Sequence, residues 1–142
     1  MSNTSTGATS TEAASAPRAK RLELSGWGRW PRSSSDVFRP ETLRDLRGAA
    51  HDGGIIARGL GRSYGDAAMN DGGAALLMER LDRILAFDAD TGELDCEPGV
   101  SFEDLIRVFL PRGWFPPVSP GTKFVTVGGA VACDVHGKNH HR

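Results

Sequence analysis

The sequence predicts an α+β fold, and three observations predict it. Short apolar runs of strand length are mixed with two longer stripes at helical spacing. Glycine and proline punctuate the chain between them. One pair of runs reads as a hairpin, so the order of elements is not the strand–helix alternation of a parallel α/β sheet.

The elements follow in chain order. Residues 1–20 are rich in Ser, Thr and Ala without apolar periodicity, the composition of a disordered leader. Leu22 to Arg32 carries Trp27 and Trp30 between glycines and a proline, and reads as a segment packed along the domain edge. Pro40 to Ala50 reads as the first helix: proline suits the first turn, and Leu43, Leu46 and Ala50 share a face. Ile55 to Ala57 is a short strand, followed by a glycine-rich loop to Asp66. Ala74 to Met78 and Ile84 to Phe87 are further apolar runs. Asp88 to Gly92 has turn composition, and beyond it Leu94 and Cys96 alternate with acidic residues, which completes the hairpin.

Ser101 with Asp104 makes a capping-box start for the second helix. Its apolar stripe is Phe102, Leu105, Ile106, Phe109 and Leu110, and Gly113 stops it. Three prolines between Pro116 and Pro120 favour a stiff, extended loop. Phe124 to Arg142 then carries Gly128-Gly129, a run of small residues and a cluster of histidines.

Bulk composition excludes several classes. A net charge of −1 gives no basic footprint for a nucleic-acid partner. No stretch approaches the apolar length of a transmembrane segment, and residues 1–16 lack the apolar centre of a signal peptide, which leaves a cytoplasmic protein as the expectation. The two cysteines, Cys96 and Cys133, lack the spacing of a disulfide framework or zinc site, and both are expected reduced and at least half-buried. Glycine is the outlier, with 18 of 142 residues gathered in short loops.

Two of those loops could carry chemistry. Around Gly59, Gly61 and Gly65, successive N–H groups can form a concave anion site, and Ser63 adds a hydroxyl. No Lys-Ser/Thr pair closes it as a phosphate-binding P-loop, and the glycine spacing is not that of a Rossmann fingerprint. Taken alone, the loop reads equally well as a structural turn. A second cluster, Pro120-Gly121-Thr122 and Thr126-Val127-Gly128-Gly129, lies downstream. Two loops made for close backbone approach suggest one long ligand lying across both, and a dinucleotide has that shape.

At these residues the chain resembles a known family. The string Ile56-Ala57-Arg58-Gly59-Leu60-Gly61-Arg62-Ser63-Tyr64-Gly65-Asp66 is similar to the diphosphate loop of the vanillyl-alcohol-oxidase-type flavoproteins, which carry a PCMH-type FAD-binding domain. The string from Pro120 to His141 and the opening Ser25-Gly26-Trp27-Gly28-Arg29 resemble, more particularly, the branch that oxidises polyprenyl-phosphate pentoses for cell-wall arabinan precursors. Sugar-lactone and alditol oxidases have related loops.

The resemblance implies the N-terminal part of a PCMH-type FAD-binding domain over residues 21–142, incomplete and without its substrate domain. It implies that Ala57, Arg58, Gly59, Leu60, Gly61, Arg62, Ser63, Tyr64, Gly65, Asp66 and Ala67 wrap the FAD diphosphate. Gly121, Thr122, Thr126, Val127, Gly128 and Gly129 would line the flavin and ribityl chain, and Cys133, Asp134, Val135 and His136 would complete the isoalloxazine side. Gly137 and Lys138 would border the substrate pocket, with Lys138 facing a phosphate. Arg62 stands where several relatives carry a flavin-linked histidine, so FAD is expected to bind non-covalently. The same resemblance implies a lipid-linked sugar phosphate as substrate, a reductase as a possible partner, and work at the membrane surface or cell envelope. No catalytic residue is assigned within the chain, and a fragment inactive by itself is the expectation.

Plainer readings of single residues weigh against other chemistries. His136 and His140 stand four apart as metal ligands on a helix would, but Gly137 between them argues against a helix there. Cys133 has no base fixed beside it by sequence, which argues against a catalytic thiol. The two tryptophans read as edge packing rather than as a cofactor clamp.

Overall fold

The computed structural model describes residues 18–49 and 54–137. Six strands, three helices and two 3-10 turns make up the described residues, in two sheets. The larger is four-stranded, in the order β1-β2-β4-β3: β1 (Lys20–Ser25), β2 (Arg32–Phe38), β3 (Ile55–Arg58) and β4 (Ala74–Leu77). β1 runs antiparallel to β2, whereas β2 and β3 both run parallel to β4.

Central position explains the composition of β4. Every residue from Ala74 to Leu77 is buried, as expected for a strand covered on both faces. Leu76 packs with Ala49, Met78 and Leu81 on one face, where Phe38 and Leu46 join them. Ala75 and Leu77 pack with Val37 on the other, beside Leu22, Leu24 and Ile56.

The segment read as packing along the domain edge opens with an edge strand. Leu22 and Leu24 point inward, while Arg21 and Glu23 pair across the hairpin with Asp36 at 3.2 Å and Arg32 at 2.7 Å. β1 begins at Lys20, inside the segment read as leader, and residues 1–17 of that segment lie outside the described residues. β2 has no apolar alternation because its buried positions are mostly serine. Ser33 and Ser35 are buried, and the Ser35 hydroxyl donates to the Asn70 carbonyl at 2.7 Å. A buried hydroxyl so bonded meets its desolvation cost.

The first helix is shorter than Pro40 to Ala50. α1 spans Leu43–Gly48, because Thr42 and Asp45 form a capping box that starts it after the proline. Leu46 and Ala49 face the core, Leu43 is 54% exposed, and Ala50 lies outside the described residues.

The expected hairpin forms the second sheet, β5 (Ile84–Phe87) against β6 (Leu94–Cys96). Helix α2 (Phe102–Phe109) packs on it through Leu105 and Phe109; Phe109 and Trp114 both contact the Phe87 ring. Ser101 caps α2, and a 3-10 turn (Leu110–Arg112) ends at Gly113 in the left-handed region, as the stripe and stop signal imply. Leu110 falls off the buried face. The open end of the hairpin is tied by Glu97, whose buried carboxylate accepts from the Arg83 amide at 3.0 Å and its guanidinium at 2.6 and 3.1 Å. A third helix, α3 (Val127–Ala132), occupies the glycine-rich run that the sequence reading left without an element. No described helix is long and apolar enough to cross a membrane.

Candidate functional site

The glycine-rich loop leaves β3 at Gly59 and returns to β4 past Gly73. It is fixed from one side by the β1–β2 turn. The Trp27 amide donates to the Ser63 carbonyl at 2.9 Å, and Gly26 lies so near the Ser63 and Gly65 carbonyls that a Cβ there would stand 2.7 and 2.6 Å from them. The Leu60 carbonyl accepts from Arg62 Nη1 at 2.8 Å. These carbonyls are therefore occupied on the protein side. A trans peptide points its N–H opposite its C=O, so the amides of Gly61, Tyr64 and Asp66 are turned the other way.

None of the amides of residues 60–65 donates to an acceptor among the described residues. Beside them lies a cavity of about 380 Å³ lined by residues 59–64, Ala67, Ala68, Val125, Thr126, Gly129, Cys133 and Val135. The two glycine loops thus meet around one concavity, as two loops sharing a ligand require. Gly59 explains how closely they meet, since any Cβ at 59 would overlap the Thr126 hydroxyl. The Ser63 hydroxyl and Cys133 sulfur bridge the same gap at 4.0 Å.

Arg62 borders this cavity with its guanidinium 5.2 Å from the Trp27 ring centre and 6.0 Å from that of Phe124. Stacking of that kind holds a charged group in place while leaving it cationic. Trp27 and Trp30 are 57% and 77% exposed, which corrects their reading as packed edge residues. Cys133 is exposed too, against expectation, whereas Cys96 is half-buried and burial raises its thiol above the ordinary range.

The downstream motif divides. α2 positions it: the Phe102 and Glu103 amides donate to the Val125 and Lys123 carbonyls, each at 2.9 Å. Thr126 caps α3 by accepting from the Gly129 amide at 3.1 Å. The Val127 and Gly128 amides donate inward, to the Val100 and Pro98 carbonyls at 2.8 and 2.9 Å. They are spent on the fold, and only Thr126 and Gly129 of this group border the cavity.

Ala57, Arg58 and Gly128 border a smaller cavity of about 200 Å³ behind the loop, and Val127 and Asp134 line a separate surface depression. Gly65, Asp66, Gly121, Thr122, His136 and Gly137 line none of these. His136 Nδ1 donates to the Asp134 carbonyl at 2.7 Å. Lys138, His140 and His141 lie outside the described residues. Ala68 and Val125 are cavity residues outside the sequence assignment, and being small and apolar they carry no chemical signal. No group of metal-ligating side chains is found among the described residues.

An amide-lined concavity between two glycine loops, with a cation at its rim, belongs to the class of nucleotide-cofactor domains. Residues 37–142 match the FAD binding domain family, and the chain belongs to it. It is 49% identical over 124 residues to the decaprenylphosphoryl-beta-D-ribose oxidase of Mycolicibacterium smegmatis, covering 83% of this chain and 27% of that one. It is 30% identical over 103 residues to the glycolate oxidase subunit GlcD of Bacillus subtilis, covering 71% and 21%. Among solved structures it superposes on cholesterol oxidase from Brevibacterium sterolicum with a TM-score of 0.67 at 18% identity, covering 85% of this chain and 25% of that one. Alkyldihydroxyacetonephosphate synthase gives a TM-score of 0.60 at 19% identity, covering 73% and 21%. These likenesses agree with the fold expected for the first part of a PCMH-type domain. The chain spans about a quarter of the length of the relatives it matches.

Proposed function

We propose that this chain is the diphosphate-gripping part of an FAD-dependent oxidoreductase that acts on a polyprenyl-phosphate pentose. The observation that carries the reading is the run of amides at residues 60–65, without acceptors among the described residues, beside a cavity shared by both glycine loops. Backbone donors in such a concavity suit a diphosphate, whose charge they meet without a mobile side chain. Family membership makes FAD the cofactor. The pentose substrate draws its support from the Mycolicibacterium relative and from the same motifs in the sequence.

Bound FAD would supply a hydride acceptor for oxidation of a substrate alcohol carbon. The chain's own residues hold and orient. Amides 60–65 and Arg62 would meet the diphosphate, while Thr126, Gly129, Cys133 and Val135 shape the opposite wall. With Arg62 at position 62, FAD would be held non-covalently. The catalytic groups, the lipid-linked sugar site, the electron acceptor and any membrane association belong to the whole enzyme under this reading.

The test is an FAD titration of the purified chain, followed by flavin fluorescence and thermal melting. Saturable uptake that raises the melting temperature is expected, since a ligand that binds only the folded state stabilises it. Uptake of ADP with no preference for FAD would instead mark a general nucleotide module. No uptake of either would end the reading.

A further inference from the structure

Arg58 was expected to touch the cofactor, but its side chain is turned onto the protein. Nη1 donates to the Ala68 carbonyl at 3.0 Å, and Nη2 donates to the Ser25 carbonyl at 2.5 Å. The first partner lies on the returning limb of the glycine loop and the second is the last residue of β1, where the chain enters the β1–β2 turn. The guanidinium lies directly behind Gly61, where that residue's Cβ would be, and Gly61 holds a φ of +66°. Burial lowers the guanidinium's pKa, an effect the Glu79 charge opposes. An arginine so placed remains cationic.

The loop needs such a support. Amides 60–65 bond to nothing among the described residues, so the loop has no ladder of its own to fix its shape. A loop that must be ordered by its ligand binds more weakly than one already in shape. We propose that Arg58 is the positioning residue of the anion loop: a cation behind Gly61 that ties the loop's returning limb to the β1–β2 turn. It thereby preorganises amides 60–65 without touching the ligand. The proposal rests on the functional reading above, and it explains why the residue before the loop is an arginine. Its planar fork reaches two carbonyls in different segments, which a lysine ammonium on a flexible stem does poorly. Its charge also adds a field behind the loop that favours an anion in front of it.

The experiment compares FAD affinity of the full chain with that of R58Q, R58K and L105A, below the melting point of each. L105A is a stability control, since Leu105 lies on the buried face of α2 among Val100 and Phe109. R58Q is expected to bind FAD about tenfold more weakly or worse, in keeping with the loss of two charge-assisted bonds. R58K, which keeps the charge, is expected to recover part of the loss, and L105A to stay within about twofold of the parent. Hydrogen exchange at the Trp27 amide, which donates to Ser63, reports the same tie without ligand and should quicken in R58Q beyond any change in L105A. Parent-like FAD affinity in R58Q, or equal losses in R58Q and L105A, would overturn the proposal. If the parent takes up no FAD, the functional reading fails, and Trp27 exchange then decides alone whether Arg58 ties the loop.

Discussion

Two residues show how much of this fold hangs on close approach and single charges. Gly59 sits against Thr126 with no room for a Cβ, so Gly59→Ala should weaken FAD binding by separating the two loops. Thr126→Ala removes the overlapping hydroxyl, and the double variant should bind better than Gly59→Ala alone. A double-mutant cycle on FAD dissociation constants measures that coupling, and additive losses would argue against contact as the cause. Glu97 makes the second case. Hydrogen bonds from the Arg83 side chain, then from its amide, hold this carboxylate below its usual range. A depressed folded-state pKa adds stability at neutral pH, which is lost as pH falls below the ordinary glutamate value of about 4.3 toward the folded one. Glu97→Gln should therefore melt lower than the parent at pH 7, with the gap closing on acidification. Melting curves across that range check both the direction and the closure.

At the scale of elements, local capping decides what forms. α2 follows its sequence signals because Ser101 and Asp104 each accept from the other's backbone amide at the helix N-terminus and the buried stripe has a hairpin to pack on. Ser101→Ala should cost about 1 kcal/mol and Phe109→Ala about 3–5 kcal/mol, read from denaturant midpoints. A Phe109 variant less destabilised than the cap variant would contradict this packing. The same logic explains what stayed illegible. β2 hides its period because Ser33 and Ser35 occupy inward positions where hydrophobic residues are sought, and their hydroxyls find partners only in the folded chain. α3 hides because Gly128 and Gly129 are poor helix formers. It is held by the local Thr126 cap and by bonds to Val100 and Pro98, and these last two contacts lie outside any local window. The glycine loop, by contrast, was legible. Its backbone requirements are written in residue type, and the structure brings Gly59 to Tyr64 onto the wall of the cavity.

For the whole molecule, the two sheets share one purpose. The four-stranded sheet presents the first glycine loop, while the β5–β6 hairpin and α2 hold the second against it. A ligand spanning both should couple them, so FAD should stabilise the chain by about 2.7 kcal/mol at a hundred times its dissociation constant. Differential scanning calorimetry checks this, and a shift that saturates below that value would mean that FAD also binds the unfolded chain. Among the described residues, no further strand pairs with the edges of the larger sheet. β1 and β3 flank the larger sheet, and Leu85 and Val131 are 63% and 77% exposed. Exposed edges and apolar side chains favour self-association. Leu85→Lys should reduce light scattering in concentrated solution without altering FAD uptake.

Cys133 gives the molecule a built-in reporter. Its sulfur is exposed on the cavity wall, whereas Cys96 is half-buried with a thiol made harder to ionise. A thiol-reactive dye should therefore label Cys133 first, and a ligand lying between the loops should shield it. Labelling rate then becomes a footprint of occupancy, readable on an untagged chain with no turnover and no flavin signal required.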